Sequence, residues 1–148
     1  MTLENLLAIH CLVPHQPTRE GIVKLLTAAA RNIGDSKATN ISAENRFDAA
    51  YKAIMQCAMV ALAANGYRTS TSVPGHHATA IQALPKTVGL TVDTVIVLDA
   101  LRKQRNVSDY EGDPVSDGVV TACIESAELL LATVTQWIRR NRPELIDR

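Results

Sequence analysis

The stretch "LRKQRNVSDYEGDP", Leu101 to Pro114, gathers the residue types in this chain with the most chemistry to offer: Arg102, Arg105, Asn106, Asp109 and Tyr110. On a helix turning about 100° per residue, Leu98, Arg102, Arg105 and Asp109 fall within about 60° of one another. Two guanidinium groups on one face suit a phosphate, because the arginine fork meets phosphate oxygens in bidentate fashion. The plainer alternative is an intrahelical ion pair between Arg105 and Asp109 at i,i+4, which contributes a few tenths of a kcal/mol at a surface. Spacing alone favours this plainer reading, since charged helix faces are usually just solvated.

The other candidates for chemistry are histidines and cysteines. His76 and His77 are adjacent in "PGHHATAIQAL". Successive helical residues point about 100° apart, so this pair cannot grip one ion, and no Asp, Glu or Cys stands at i+4 to either. A neutral imidazole near a helix start is the expected role. His10, Cys11 and His15 are close in sequence but lack a fourth ligand. No metal site and no cofactor are expected, and with no glycine-rich phosphate loop any nucleotide must be held by side chains. Cys11, Cys57 and Cys123 form no C-x-x-C pair. Cys57 and Cys123 lie within apolar helical patterns, where a thiol behaves as a small hydrophobe. All three are expected to be reduced and structural, in keeping with a cytoplasmic protein.

Composition sets the frame for these groups. The chain has 148 residues, 47% apolar and 20% charged, with a formal net charge of zero. One domain is expected at this length. A balanced charge argues against coating nucleic acid by bulk electrostatics, although a local basic patch is compatible with it. The N-terminal run "MTLENLLAIHCLVPHQP" has no basic opening and is interrupted by Glu4 and His10, unlike a signal peptide. Uninterrupted apolar runs fall short of the length a membrane span needs, so no membrane association is expected.

Five segments must position the candidate residues. "TREGIVKLLTAAARNIG" opens on Thr18 as an N-cap, carries Ile22, Leu25, Leu26, Ala29 and Ile33 on one stripe, and closes on Gly34. "SAENRFDAAYKAIMQCAMVALAANG" opens on Ser42, has acidic residues near its start, and ends at Asn65-Gly66. Its apolar face (Phe47, Tyr51, Ile54, Ala58 and Leu62, widened by Met55 and Met59) is broader than one neighbour needs, so part of it is expected to serve a dimer. After a polar loop, "GHHATAIQAL" reads as a shorter helix stopped by Pro85. "TVDTVIVLDALRKQRNVSDY" begins with β-branched residues yet runs straight into "DALRKQRN" and is read as helix. "SDGVVTACIESAELLLATVTQWIRRN" places Arg139, Arg140 and Arg142 at its negative end before Pro143. The expected fold is all-α, an antiparallel up-and-down bundle of four to five helices with no β-sheet.

Across roughly residues 18–141 the order of these segments resembles the HEPN family (higher eukaryotes and prokaryotes nucleotide-binding), in particular its small stand-alone prokaryotic members. The resemblance is carried in turn by "RFDAAYKAIMQCAMVALAANG", "PGHHATAIQAL", "LRKQRNVSDY" and "VSDGVVTACIESAELLLATVTQWI". It implies an N-terminal extension over 1–17, a HEPN-like helical bundle over 18–141 and a C-terminal tail over 142–148. It also implies a homodimer whose cleft binds RNA or a nucleotide through Arg102, Arg105, Asn106, Asp109 and Tyr110. The partner implied is a minimal nucleotidyltransferase, the two forming a toxin–antitoxin pair.

Many members of that family are metal-independent ribonucleases whose arginine is followed four to six residues later by histidine. Here Arg105-Asn106 matches the opening, but five residues after Arg105 stands Tyr110, and no histidine falls in the window from Arg102 or from Arg105. Tyrosine, with an ordinary pKa of about 10 against about 6.5 for histidine, is the poorer base near neutrality. The expectation is therefore a binding module with little or no RNA cleavage, Tyr110 acting by hydrogen bonding or stacking. The alternatives are an endoribonuclease with an altered site built on Arg105 and Tyr110, and a purely structural helical protein.

Overall fold

The computed structural model describes residues 2–147. Four long helices build it: α2 over Arg19–Ser36, α3 over Ala43–Ala64, α6 over Val92–Glu111 and α7 over Asp117–Asn141. Each begins with a hydroxyl side chain accepting a backbone N–H three residues on. Thr18 accepts from Gly21 at 3.1 Å, Ser42 from Asn45 at 3.3 Å, Thr91 from Thr94 at 3.3 Å and Ser116 from Val119 at 3.2 Å. These caps satisfy N–H groups that a helix start leaves without partners. The Thr91 cap, with Asp93 in the first turn, explains why "VDTVIVL" is helical despite its β-branched residues.

Helix α3 is the axis of the core. Thirteen of its 22 residues are buried, and α2 and α7 pack along its flanks. Its alanines Ala50, Ala53, Ala58 and Ala61 have no exposed surface, which lets neighbouring helices approach closely. Most of the broad apolar face of α3, part of which was expected from sequence to serve a dimer, is covered within the chain, while Met59 keeps some accessible surface. The C-terminal end of α3 is closed by side chains from elsewhere. Arg142 Nη1 donates to the Ala64 carbonyl at 3.0 Å, and Asn65 Nδ2 donates to the Thr87 carbonyl at 3.2 Å. By length and composition α3 and α7 could each cross a membrane, but 72% of the apolar window in α3 is packed inside the protein.

The sequence reading is corrected at the edges of this bundle. A two-stranded antiparallel ribbon is present, β1 over Leu12–Pro14 paired with β2 over Tyr67–Thr69, where no sheet was expected. It ties the N-terminal segment, which also forms α1 over Leu3–Ala8, onto the body of the protein through the buried Leu12. Residues 2–17 are thus partly ordered structure rather than a bare extension, with Met1 outside the described residues, as is Arg148 of the 142–148 tail. Within that tail Pro143–Leu145 form a 3₁₀ turn with Leu145 buried. Gly34 does not end α2, which continues to Ser36. Pro85 does not simply stop a helix either. The helix α4, His76–Gln82, ends before it, and Pro85 occupies the first turn of the short α5, Leu84–Thr87, where its missing N–H costs nothing.

Candidate functional site

Helix α6 has only Leu98 and Leu101 fully buried. Both belong to the face that carries Arg102, Arg105 and Asp109, so the two arginines are drawn in with it and lie half-buried against α3 and α4 rather than standing out in water. Opposite them, Gly75 takes a left-handed conformation (φ 84°) that side-chain-bearing residues rarely adopt, and it launches α4 with His76 and His77 in its first turn. The α4 start and the C-terminal half of α6 enclose an open cleft of about 300 Å³, lined by Gly75, His76, His77, Ala78, Arg102, Arg105, Asn106 and Tyr110.

Behind the cleft lies a residue that sequence spacing did not single out. Tyr51 of α3 is 2% exposed, and its hydroxyl sits 3.2 Å from His77 Nδ1. The Arg105 guanidinium carbon lies over the Tyr51 ring, 5.2 Å from its centroid, a cation–π arrangement. The Phe47 ring stacks against Tyr51 on the core side, and the His76 and His77 rings meet edge to face at 4.7 Å. Arg105 is thus held by an aromatic face on one side and by Asp109 Oδ2, 3.3 Å from its Nε, on the other. The i,i+4 pair expected from sequence is present. Arg102 Nε donates to Asp99 Oδ1 at 2.8 Å, and Lys103 shares the same carboxylate at 3.4 Å.

Burial shapes the proton chemistry of this group. Desolvation, then the charges of His76, Arg105 and Arg102, pull the His77 pKa below the ordinary imidazole value, so His77 is neutral near pH 7. Desolvation pushes the Tyr51 phenol up to about 12 despite the opposing pull of Arg105 and Arg102, so its hydroxyl keeps its proton and can donate to His77 Nδ1. The same contact also forms with Nδ1–H donating to the Tyr51 oxygen, and the direction it takes decides whether Nε2 carries the proton or is free. Burial and the nearby Asp109 raise the Asp48 carboxyl, with Arg105 opposing. The hydrogen bond from Arg102 holds Asp99 below the usual carboxylate range.

Arg105 and His77 also form the wall of a second groove on their far side, about 440 Å³, that runs along α3 past Asp48, Tyr51, Lys52, Met55, Gln56 and Met59, with Leu25 of α2 on its other bank.

Of the residues expected from sequence, Arg102, Arg105, Asn106 and Tyr110 share the cleft, with Asp109 paired to Arg105. Tyr110 is 87% exposed and stands at the mouth, not at the centre. His77, weighed in the sequence only as half of a pair that cannot grip one ion, lines both grooves. Among the described residues, no group of three His, Cys, Asp or Glu side chains converges in a way that would hold a metal ion. Comparison of the chain with protein-family models, curated proteins and solved structures found no match.

Proposed function

We propose that the α4–α6 cleft binds a phosphate group of RNA or of a nucleotide. One observation carries this reading: Arg105 is pinned half-buried between the Tyr51 ring and Asp109 while it and Arg102 line a cleft open to solvent. A guanidinium fixed in this way loses little further side-chain freedom when it engages a phosphate, and charge-assisted bidentate bonds are the strong ones. Asp99 and Asp109 meet Arg102 and Arg105 at their Nε atoms, so the Nη groups of the two arginines are the ones offered to a phosphate. The concave cleft suits a compact anion better than a flat acidic protein surface. Titration of the protein with a short single-stranded RNA, read by fluorescence anisotropy, tests the reading, and saturable binding that weakens with salt is the expected result.

A second reading, a metal-independent endoribonuclease, is favoured by His77. The histidine missing from the α6 motif is supplied to the same cleft by α4. With Nδ1–H donating to the Tyr51 oxygen, Nε2 of the neutral imidazole is free to take the proton of a ribose 2′-hydroxyl. That oxygen would attack the phosphorus, and the 5′ oxygen would leave with a proton taken from water, giving a 2′,3′-cyclic phosphate and a 5′-hydroxyl end. Products with those ends, formed in the presence of a chelator, would move the protein from a binder to a nuclease.

We also propose that the chain self-associates through α6 rather than α3. Val92, Ile96, Ala100, Val107 and Tyr110 are all exposed and fall on one stripe of this helix, opposite its buried face. The stripe runs most of the length of the helix, about 27 Å at 1.5 Å per residue. Ala100 lies near its middle, where a small side chain allows a second α6 to cross closely. An exposed apolar strip of this kind, interrupted only at Lys103, marks an interaction surface. The occupant proposed is a second copy of the chain. A minimal nucleotidyltransferase partner remains what the HEPN resemblance implies.

A further inference from the structure

Helices α6 and α7 are joined only by residues 112–116, a short connection of the kind that usually makes two helices antiparallel neighbours. Here they do not pack along one another: α6 rests on α3, α4 and α5, and α7 on α3 and α2. Between them lies an open groove of about 420 Å³, walled by Asp93 and Val97 on the α6 side and by Ala122, Glu125 and Leu129 on the α7 side. Two large apolar side chains stand open to water in it, Val97 at 48% and Leu129 at 54% exposed. Val97 points about 100° round α6 from Ile96, so the groove occupies the flank between the exposed stripe and the buried Leu98 and Leu101.

Charge narrows what can cover this flank. The charged groups on its walls, Asp93 and Glu125, are both carboxylates, and among the described residues neither forms an ion pair within the chain. Apolar side chains edged by unpaired carboxylates repel the phosphates of nucleic acid and of anionic lipid, and they attract a cation carried beside an apolar group. From Ala122 to Leu129 the α7 wall is about 10 Å long, two turns of helix. A helix lying in the groove covers that length with apolar residues at i, i+3, i+4 and i+7. A second α6 is the competing occupant, but the basic residue of its strip, Lys103, is already shared with Asp99 at 3.4 Å.

We infer that the α6–α7 groove docks a basic amphipathic helix of a protein partner. Its apolar side chains sit between Val97 and Leu129, and its lysines or arginines meet Asp93 and Glu125. This surface is separate from the phosphate cleft and does not rest on the reading of that cleft.

The test uses the full chain and a labelled synthetic peptide of about fifteen residues, long enough to hold some helix in water. It carries leucines at i, i+3, i+4 and i+7 with lysines flanking them, and a second peptide has glutamate at every lysine position. Fluorescence anisotropy is expected to show saturable binding of the lysine peptide and roughly tenfold weaker binding of the glutamate peptide. Leu129→Ser is expected to weaken the lysine peptide by roughly tenfold, the scale of one leucine left unburied. Glu125→Lys should weaken the lysine peptide and strengthen the glutamate peptide, an exchange that loss of fold cannot mimic. Both residues are exposed, so neither change should lower the melting temperature. Equal affinity for the two peptides, or no exchange in Glu125→Lys, overturns the charge-matched docking. Failure of both peptides to bind overturns the surface altogether. A lysine peptide that binds only by dissociating a dimer of the chain, read by light scattering, puts a second copy in the groove and overturns the occupant proposed.

Discussion

The Tyr51 hydroxyl and His77 Nδ1 lie 3.2 Å apart, joining the centre of the core helix α3 to the first turn of α4. A phenol held protonated and an imidazole held neutral make a stable donor–acceptor pair near pH 7. The first consequence is a titration. His77 is expected to titrate below the ordinary imidazole range by NMR, and Arg105→Ala, which removes one of the charges opposing its protonation, is expected to raise that value. A histidine whose pKa is depressed on folding binds fewer protons folded than unfolded, so stability falls as pH drops through 6.5 toward the folded value. Asp48, raised from 3.8, acts in the opposite sense at lower pH. Denaturation midpoints from pH 7.5 to 5.5 should therefore decline for the parent protein and flatten for His77→Gln. A decline of equal slope in both would assign the effect to another group.

The thiols give a second prediction. Cys57 and Cys123 have no exposed surface, and burial pushes both thiols up to about 12, so neither is a thiolate at neutral pH. Cys11 is partly accessible, and all three are free. An aromatic disulfide reagent should modify Cys11 alone in the native protein and all three in denaturant, and reductant should leave the melting temperature unchanged. Rapid native modification of more than one thiol would contradict the core described here.

A third prediction concerns α6. The proposed self-association places Ile96, 61% exposed, in the N-terminal half of the apolar stripe, one turn before Ala100. Ile96→Asp should convert a dimer to a monomer by light scattering at tens of micromolar without lowering the melting temperature of the monomeric fold, because Ile96 is not part of the core. A parent protein that is already monomeric removes the α6 interface.

How much was legible in the sequence follows from the range of the interactions concerned. The four long helices, the caps at Thr18 and Ser42 and the Arg105–Asp109 pair rest on residues three or four apart, and local spacing reveals them; the caps at Thr91 and Ser116 have the same spacing but were not read from it. The β1–β2 ribbon joins segments of three residues from opposite sides of α2 and α3, too short to carry a periodic signal. The breadth of the α3 face was read correctly, but sequence does not say how many neighbours a helix has, and here they cover most of it within one chain. Tyr51 and His77 are 26 residues apart. Tyr51 followed the apolar stripe of α3, as a core residue would, and only the tertiary packing of α4 turns its hydroxyl into a functional neighbour.

The most direct test of the central claim is the salt dependence of binding to a short single-stranded RNA, compared between the parent protein and Arg105→Ala, with Tyr51→Phe as a companion that keeps the ring beneath Arg105. A phosphate held by Arg105 predicts that Arg105→Ala weakens binding by roughly tenfold or more, the scale of a lost charged hydrogen bond. It also predicts a log–log salt slope shallower by about 0.7, the share of one phosphate contact on a single strand. Tyr51→Phe should retain most of the affinity, because the cation–π support survives the loss of the hydroxyl. Unchanged affinity and unchanged slope in Arg105→Ala would show that Arg102 and Arg105 are a charged helix face paired with Asp99 and Asp109 and nothing more.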